Sequence, residues 1–559
     1  MKPISRRDLV LALPILIAVG SNIPSQSPPQ PKAALDEPAH RYDGYGKFHR
    51  AVTTSSPEAQ AWFDQGMVLL YGFNHDEAIR SFHEAARIDP KCAMAWWGVS
   101  YANGLHVNNT MMSEEQNKVG YDAAQQAKAL DAGASPTEKA LISAVTQRFA
   151  WPAPADRKPL DQQFAKAMGE AHKAFPDDPD VASLYAESLM DLQPWDYWTA
   201  DGQPKGNAAE IVRTLESVLA ANPQHPGANH FYIHAVEAST NPDRAVAAAD
   251  RLGALVPGSG HLVHMPAHIY ARVGRYDKAV DCNVTAVAAD KAYFAKAPPP
   301  RFYRIYFLHN AHFLSWAAMM EGRYEIAMNA ARQIEHDLPE PFLKENTFIA
   351  DGFMPTAMHV MVRFGRWDDI LKEPEPPAWR YVSDAMWHYS RGVALTAQGN
   401  TRQARSELTA LEGVMAKTPE NFVIHNNPAR NVFAIAHHML EGEISFREGE
   451  HARSFDLLHD ASVLEDKLVY DEPPGWMHPV RHALGALMIA DGKPGDAVAV
   501  YEEDLKRNRE NGWALIGLEQ ALRAENKAAD ADAVKARKAK AWPNADVTPN
   551  ASCYCQPPR

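Results

Sequence analysis

Histidines at 230 and 234, and again at 264 and 268, stand four residues apart in stretches whose apolar residues recur with helical period, PGANHFYIHAVEAS and SGHLVHMPAHIYARVGRYDKA. Side chains so spaced share one face of a helix, with Cβ atoms roughly 5–6 Å apart, so each pair can close on one metal ion. Glu237 continues the first row and can add a carboxylate, as ligand or as general base. Two imidazoles and a carboxylate with open positions form the pattern of non-haem iron; three or four imidazoles with water suit zinc or copper. The expectation is a divalent transition metal on His230, His234, His264 and His268, its identity open among zinc, copper and iron. Cys553-x-Cys555 can bind a soft metal, close a disulfide in an oxidising compartment, or be two plain thiols. The chain holds no glycine-rich phosphate loop, no HExxH, no G-x-S-x-G and no CxxCH.

The elements that must position these histidines are paired helices. The segments SGHLVHMPAHIYARVGRYDKA and FLHNAHFLSWAAMMEGRYEIA both run through a Gly-Arg-Tyr corner into a second helix, and Ala245 and Ala279, 34 residues apart, take the small-residue slot where two helices cross closely. Earlier, AWFDQGMVLLYGFNHDEAIRSFHEAARIDP sets Trp62 and Phe82 to fill a hairpin, Gly66 and Ala78 to let its helices approach, and Pro90 to end it, with Ala85 at a further repeat position. In these residues the chain resembles the tetratricopeptide repeat family. The same block, through CAMAWWGVSYANG, also resembles a group of uncharacterised exported bacterial repeat proteins, which supplies no function.

The resemblance implies an all-α fold: a right-handed superhelical solenoid of helix hairpins, here with a helical and irregular insertion. It also implies which residues face the concave groove. His230, His234, His261, His264, His268, His309, His312, His359 and His482 fall in such slots, far more than chance placement of 24 histidines would put there. His261, His309 and His312 are thereby candidates for ligand contact beside the four metal candidates. Arg272 and Arg363 take another groove-facing slot and can pair with a carboxylate of a peptide or a small acid. Arrays of this kind mostly bind peptides or proteins in the groove.

Composition bounds the rest. With 559 residues the chain is too long for one compact core, whereas a repeat array has no such ceiling. A formal net charge of −13 without a basic run argues against nucleic acid and against an anionic membrane as partner. The opening MKPISRRDLVLALPILIAVGS pairs two arginines with an apolar run too short to span a bilayer; it resembles a twin-arginine export signal, with Leu9 where Phe is usual. Export to the periplasm or the cell exterior, and no membrane span after cleavage, are expected.

The chain divides into an export signal (1–20), a Pro-rich spacer (21–43), an N-terminal repeat block (44–104), a helical insertion (105–225), a central His-rich array (226–420), C-terminal repeats (421–543) and an unstructured tail (544–559). Within the insertion, Ser135 and Glu138 form a capping box, and Trp195, Tyr197 and Trp198 make an aromatic knot that is either a pocket wall or a loop pinned to the core. Three functional readings follow. The first is an exported scaffold binding a partner or small ligand in a His-lined groove with a divalent metal. The second is a metal-dependent hydrolase or oxidoreductase in the same groove. The third is a metal-free interaction scaffold.

Overall fold

A computed structural model describes residues 38–199, 201–297 and 303–556. The export signal at 1–20, most of the spacer and the prolines 298–300 lie outside the described residues.

The first described helix begins as the sequence predicts. Ser56 caps the helix Pro57–Tyr71 by accepting from the Ala59 N–H, with proline at the first helical position, and a turn at Gly72 leads into His75–Ile88. Phe82 fills the crossing. A Cβ at Gly66 or at Gly98 would lie 2.5 Å from its ring, so only glycine admits the ring from both neighbouring helices.

Antiparallel hairpins then follow one another. They pair Ala93–Ala102 with Glu114–Leu130, Pro136–Val145 with Lys158–Ala174, Pro179–Met190 with Ala208–Ala221, and Pro226–Val236 with Val246–Leu255. The capping box of Ser135 and Glu138 is present. Tyr276–Lys296 returns along two short helices, Gly260–His264 and Pro266–Arg272, and Tyr303–Glu321 pairs with Tyr324–Asp337. The C-terminal hairpins are Tyr381–Ala397 with Thr401–Lys417, Ala429–Arg447 with His451–Asp466, Val480–Ala490 with Pro494–Arg507, and Gly512–Ala524 with Ala528–Ala541. Beyond one two-residue β-ladder at Val423–Pro428, the described residues form an all-α superhelical repeat fold.

Two local features bear on the site. At the Gly-Arg-Tyr corners Gly274 and Gly322 adopt φ of 78° and 73°, left-handed values that a side chain would oppose. The first helix of the repeat at 260 breaks at Met265, because Pro266 has no N–H to give to the preceding turn; His268 N–H reaches instead to the Met265 carbonyl at 3.2 Å.

The last hairpin docks back on the middle of the array. Trp513 and Trp542, from the last hairpin, donate their indole N–H groups to the carbonyls of Met319 and Met320 at 2.7 and 2.8 Å. The expectation of an unstructured tail is corrected here. Residues 544–556 form no helix, yet Asp546 accepts from the Tyr324 N–H at 2.7 Å, Ser552 donates to the His482 carbonyl at 2.8 Å, and Cys553 and Cys555 are disulfide-bonded. Asp546 accepts from the first N–H groups of the helix Tyr324–Asp337, which have no partner within that helix.

Candidate metal centre

The structure brings the rings of the central repeats together. One ring nitrogen from each of His230, His234 and His261 lies within 4.8 Å of the others, and the same holds for His264, His268 and His309. Helix packing explains the grouping. Each pair four residues apart, His230 with His234 on one helix and His264 with His268 across the break at Met265, gains a third imidazole from the next first helix in the array, His261 and His309 respectively. His230 Nε2 is 3.1 Å from His261 Nε2, and His264 Nε2 is 2.8 Å from His268 Nε2, with His309 Nε2 3.5 Å beyond. Nitrogens so separated can share an ion bonded to each at about 2.0–2.1 Å.

What orients the rings fixes their tautomers. A carbonyl oxygen only accepts, so His230 carries its proton on Nδ1 and donates it to the Tyr71 carbonyl at 2.6 Å. His234 Nδ1 donates to Glu237 Oε1 at 2.9 Å, and His264 Nδ1 to Asn283 Oδ1 at 2.6 Å. Asn283 is itself held, its amide donating to the Ala279 carbonyl. His268 Nδ1 is in ion-pair contact with Glu237 Oε2 at 2.6 Å, off the line of a regular hydrogen bond, and with Glu472 Oε2 at 3.5 Å. Each of these four rings thus turns an Nε2 inward. His264 and His268 then set lone pair against lone pair at 2.8 Å unless a proton or a metal cation lies between them.

The surroundings are dry. His230, His264 and Glu237 are 0% exposed and His268 only 4%. Phe73 packs on His230, Trp195 meets His234 edge-on at 5.1 Å, and Phe313 lies 5.2 and 5.0 Å from His264 and His268. Burial, reinforced by neighbouring imidazoles, holds His230, His261, His264 and His309 well below the ordinary histidine range, which leaves them neutral and able to ligate. His268 alone of the six is raised: burial pushes it down, and the Glu237 carboxylate more than offsets that. Burial also opposes the charge of Glu237, but His268 and His234 hold it down to about 2.

The remaining candidates fall elsewhere. His312 packs against His425 and Phe353, with ring centroids 4.7 and 5.5 Å away, apart from both sets. Arg272 spends its guanidinium on the carbonyls of Glu237 and Ser239 at 3.0 and 3.1 Å, and lies 3.7 Å from Glu472. Arg363 donates from Nη1 to His482 Nδ1 at 3.2 Å; His482 in turn holds Asp504 at 3.0 Å. His359 adjoins Trp476 and His478. The aromatic knot does both things weighed for it: Trp195 and Trp198 donate to the carbonyls of Val107 and Ala235, and Trp195 walls His234.

Sequence reasoning missed three partners. Asn283 sits on the second helix of its hairpin, the Tyr71 carbonyl belongs to the first repeat, and Glu472 comes from the loop before Val480–Ala490. Glu472 is 9% exposed and raised to about 8 by burial, against His268 and Arg272. No local pattern marks any of them. The imidazoles expected in the concave groove are buried, with the first repeat and the Glu472 loop packed against them.

No protein-family model matches the chain, and no curated protein matches it. Among solved structures, it is similar to human IFIT1 as a dimer with m7Gppp-AAAA, at 10% identity over 88% of this chain and 91% of that one, with a TM-score of 0.32. The Cut9 and Hcn1 assembly of the APC/C matches at 14% identity over 83% and 76%, with a TM-score of 0.30. Yeast Tom70 matches at 10% over 86% and 90%, with a TM-score of 0.27. Scores this low carry no argument, and the fold class rests on the helices themselves.

Proposed function

We propose that the protein is an all-α repeat scaffold that binds a divalent transition metal through the buried imidazoles between its central repeats. The observation that carries this reading is the pairing of fixed Nδ1 donors with converging Nε2 atoms: Tyr71, Glu237 and Asn283 hold the outer ring nitrogens, as second-sphere groups do around metal-bound histidine. Glu237 acts in this reading as an orienting group, since both of its oxygens face His Nδ1 atoms. That removes the carboxylate from the two-histidine iron pattern and favours zinc or copper.

Elemental analysis of untagged protein tests it. The expected result is a stoichiometric transition metal, lowered by His234→Ala and by His268→Ala, and unchanged by His451→Ala, whose ring pairs with Asp491 far from the site. Metal below about a tenth of an equivalent after reloading would remove the proposal.

A catalytic reading of the same centre draws on one feature. Three protein donors per set leave a coordination position for water or substrate, as in catalytic rather than structural zinc sites. Hydrolysis or oxygen chemistry by the loaded protein, lost in His264→Ala, would establish it. Because the imidazoles are covered, a peptide or small-molecule partner would meet the other surfaces of the array. Among the described residues no helix is long and apolar enough to cross a membrane. Export is proposed on the twin-arginine-like opening alone; fractionation of cells carrying the full chain and an Arg6→Lys, Arg7→Lys double variant tests it, and equal distribution of the two would remove this part.

A further inference from the structure

Resting on that reading, we infer that the centre is built for two metal ions at once, one on His230, His234 and His261 and the other on His264, His268 and His309, joined through Glu237.

Three observations carry this. Each set is complete in itself, with three donor nitrogens within 4.8 Å of one another, so neither needs a ligand from the other. A single ion at about 2.0–2.1 Å from its ligands cannot take six imidazoles from two such groups in the four-coordinate geometry that zinc prefers. The sets also adjoin, and it is their donor nitrogens rather than their ring centroids that group them. Within them, ring centroids lie 4.7–4.9 Å apart for His230 with His234, His230 with His261, His264 with His268 and His264 with His309, 5.6 Å for His268 with His309 and 6.1 Å for His234 with His261. Across the boundary, His261 to His264 and His234 to His268 are both 6.2 Å.

The third observation is the bridge. Glu237 is wholly buried, and it places Oε1 on His234 of the first set and Oε2 on His268 of the second. One carboxylate therefore orients a ring in each set from its outer nitrogen and adds one negative charge shared by both sets. Glu472, 3.5 Å from His268 Nδ1, adds a second carboxyl group on the same side. The ions that fit are borderline-soft divalent metals suited to imidazole, zinc(II) or copper(II).

The test loads full-length, metal-stripped protein with zinc(II) alone and, separately, with copper(II) alone, then measures bound metal after gel filtration. Two equivalents are expected, falling to one in His261→Ala and to one in His309→Ala; His309 is only partly buried, so its variant is the milder for folding. No binding in the wild type would sink the metal reading itself. One equivalent in the wild type, abolished by either variant, would keep that reading and overturn the two-ion arrangement. Paramagnetic resonance of the copper form needs no variant. Two neighbouring copper(II) ions that couple should integrate to less than one spin per protein, with one spin restored in either variant, whereas two full uncoupled spins would overturn the pairing.

Discussion

His268 places its Nδ1 2.6 Å from Glu237 Oε2, so a ring in one repeat is oriented by a carboxylate of the repeat before it. The other oxygen of that carboxylate holds His234, 2.9 Å away in its own helix. Register between two hairpins is thereby tied to the groups that orient the imidazoles.

Glu237→Gln keeps the shape and removes the charge. An amide can accept from only one of the two rings, so metal affinity should fall by roughly 10–100-fold. Competition against a chelator of known affinity measures this. Unchanged affinity would show that Glu237 does not orient the ligands.

Asn283→Leu removes the acceptor of His264 Nδ1, which lies 2.6 Å away, and leaves a buried N–H unpaired. A stability loss of about 1–3 kcal/mol is expected, read by denaturant unfolding. Metal bound to the second set should weaken as well, while the first set, held by Tyr71 and Glu237, should not change.

Gly227→Ala acts through packing. A Cβ there would lie 2.3 Å from the Tyr71 ring, whose carbonyl orients His230 and whose hydroxyl donates to Asp180 at 2.6 Å. Overpacking of this kind should cost about 1–3 kcal/mol and also loosen the first set. Loss of stability without any change in metal binding would separate Tyr71 from the site.

Metal removal should lower the melting temperature. An ion that binds only the folded chain stabilises it by about 4 kcal/mol at a thousand times its dissociation constant. Differential scanning calorimetry with and without zinc(II) should show the shift, reduced in His234→Ala. Equal melting curves would count against binding to the folded state.

Asp290, against Gly260 and Asn310, supplies a pH dependence of its own. Burial raises its carboxyl to about 7, although Asn310 and Tyr303 donate to it. The folded state therefore binds this proton more tightly than the unfolded chain. The contribution is present below about pH 4 and is lost as pH rises to about 7, by roughly 4 kcal/mol at most. Asp290→Asn should flatten that slope in urea unfolding between those values; an unchanged slope would mean the carboxyl is already charged when folded.

Much of this was legible locally. Helical period, corner glycines such as Gly274 and Gly322, and the small residues around Phe82 are short-range signals, because a hairpin is built from contacts within one repeat. The spacing of His230 with His234, and of His264 with His268, is of the same kind: four residues along a helix bring rings together whatever the rest of the chain does.

Which ring joins which pair was not legible. His261 completes the first set and His309 the second because of how successive helices cross, and a crossing is decided by side chains from both helices at once. Glu472 and the Tyr71 carbonyl reach the site only through contacts between distant repeats, and Asn283 through the crossing within its own hairpin; the tail packs on Tyr324 and His482 by distant contacts too. The sequence by itself determined paired helices and faces rich in imidazole, since both follow from residues a few positions apart. Only the tertiary structure decided that those faces are buried and split into two sets about one carboxylate, because burial and grouping depend on contacts between residues far apart in the chain.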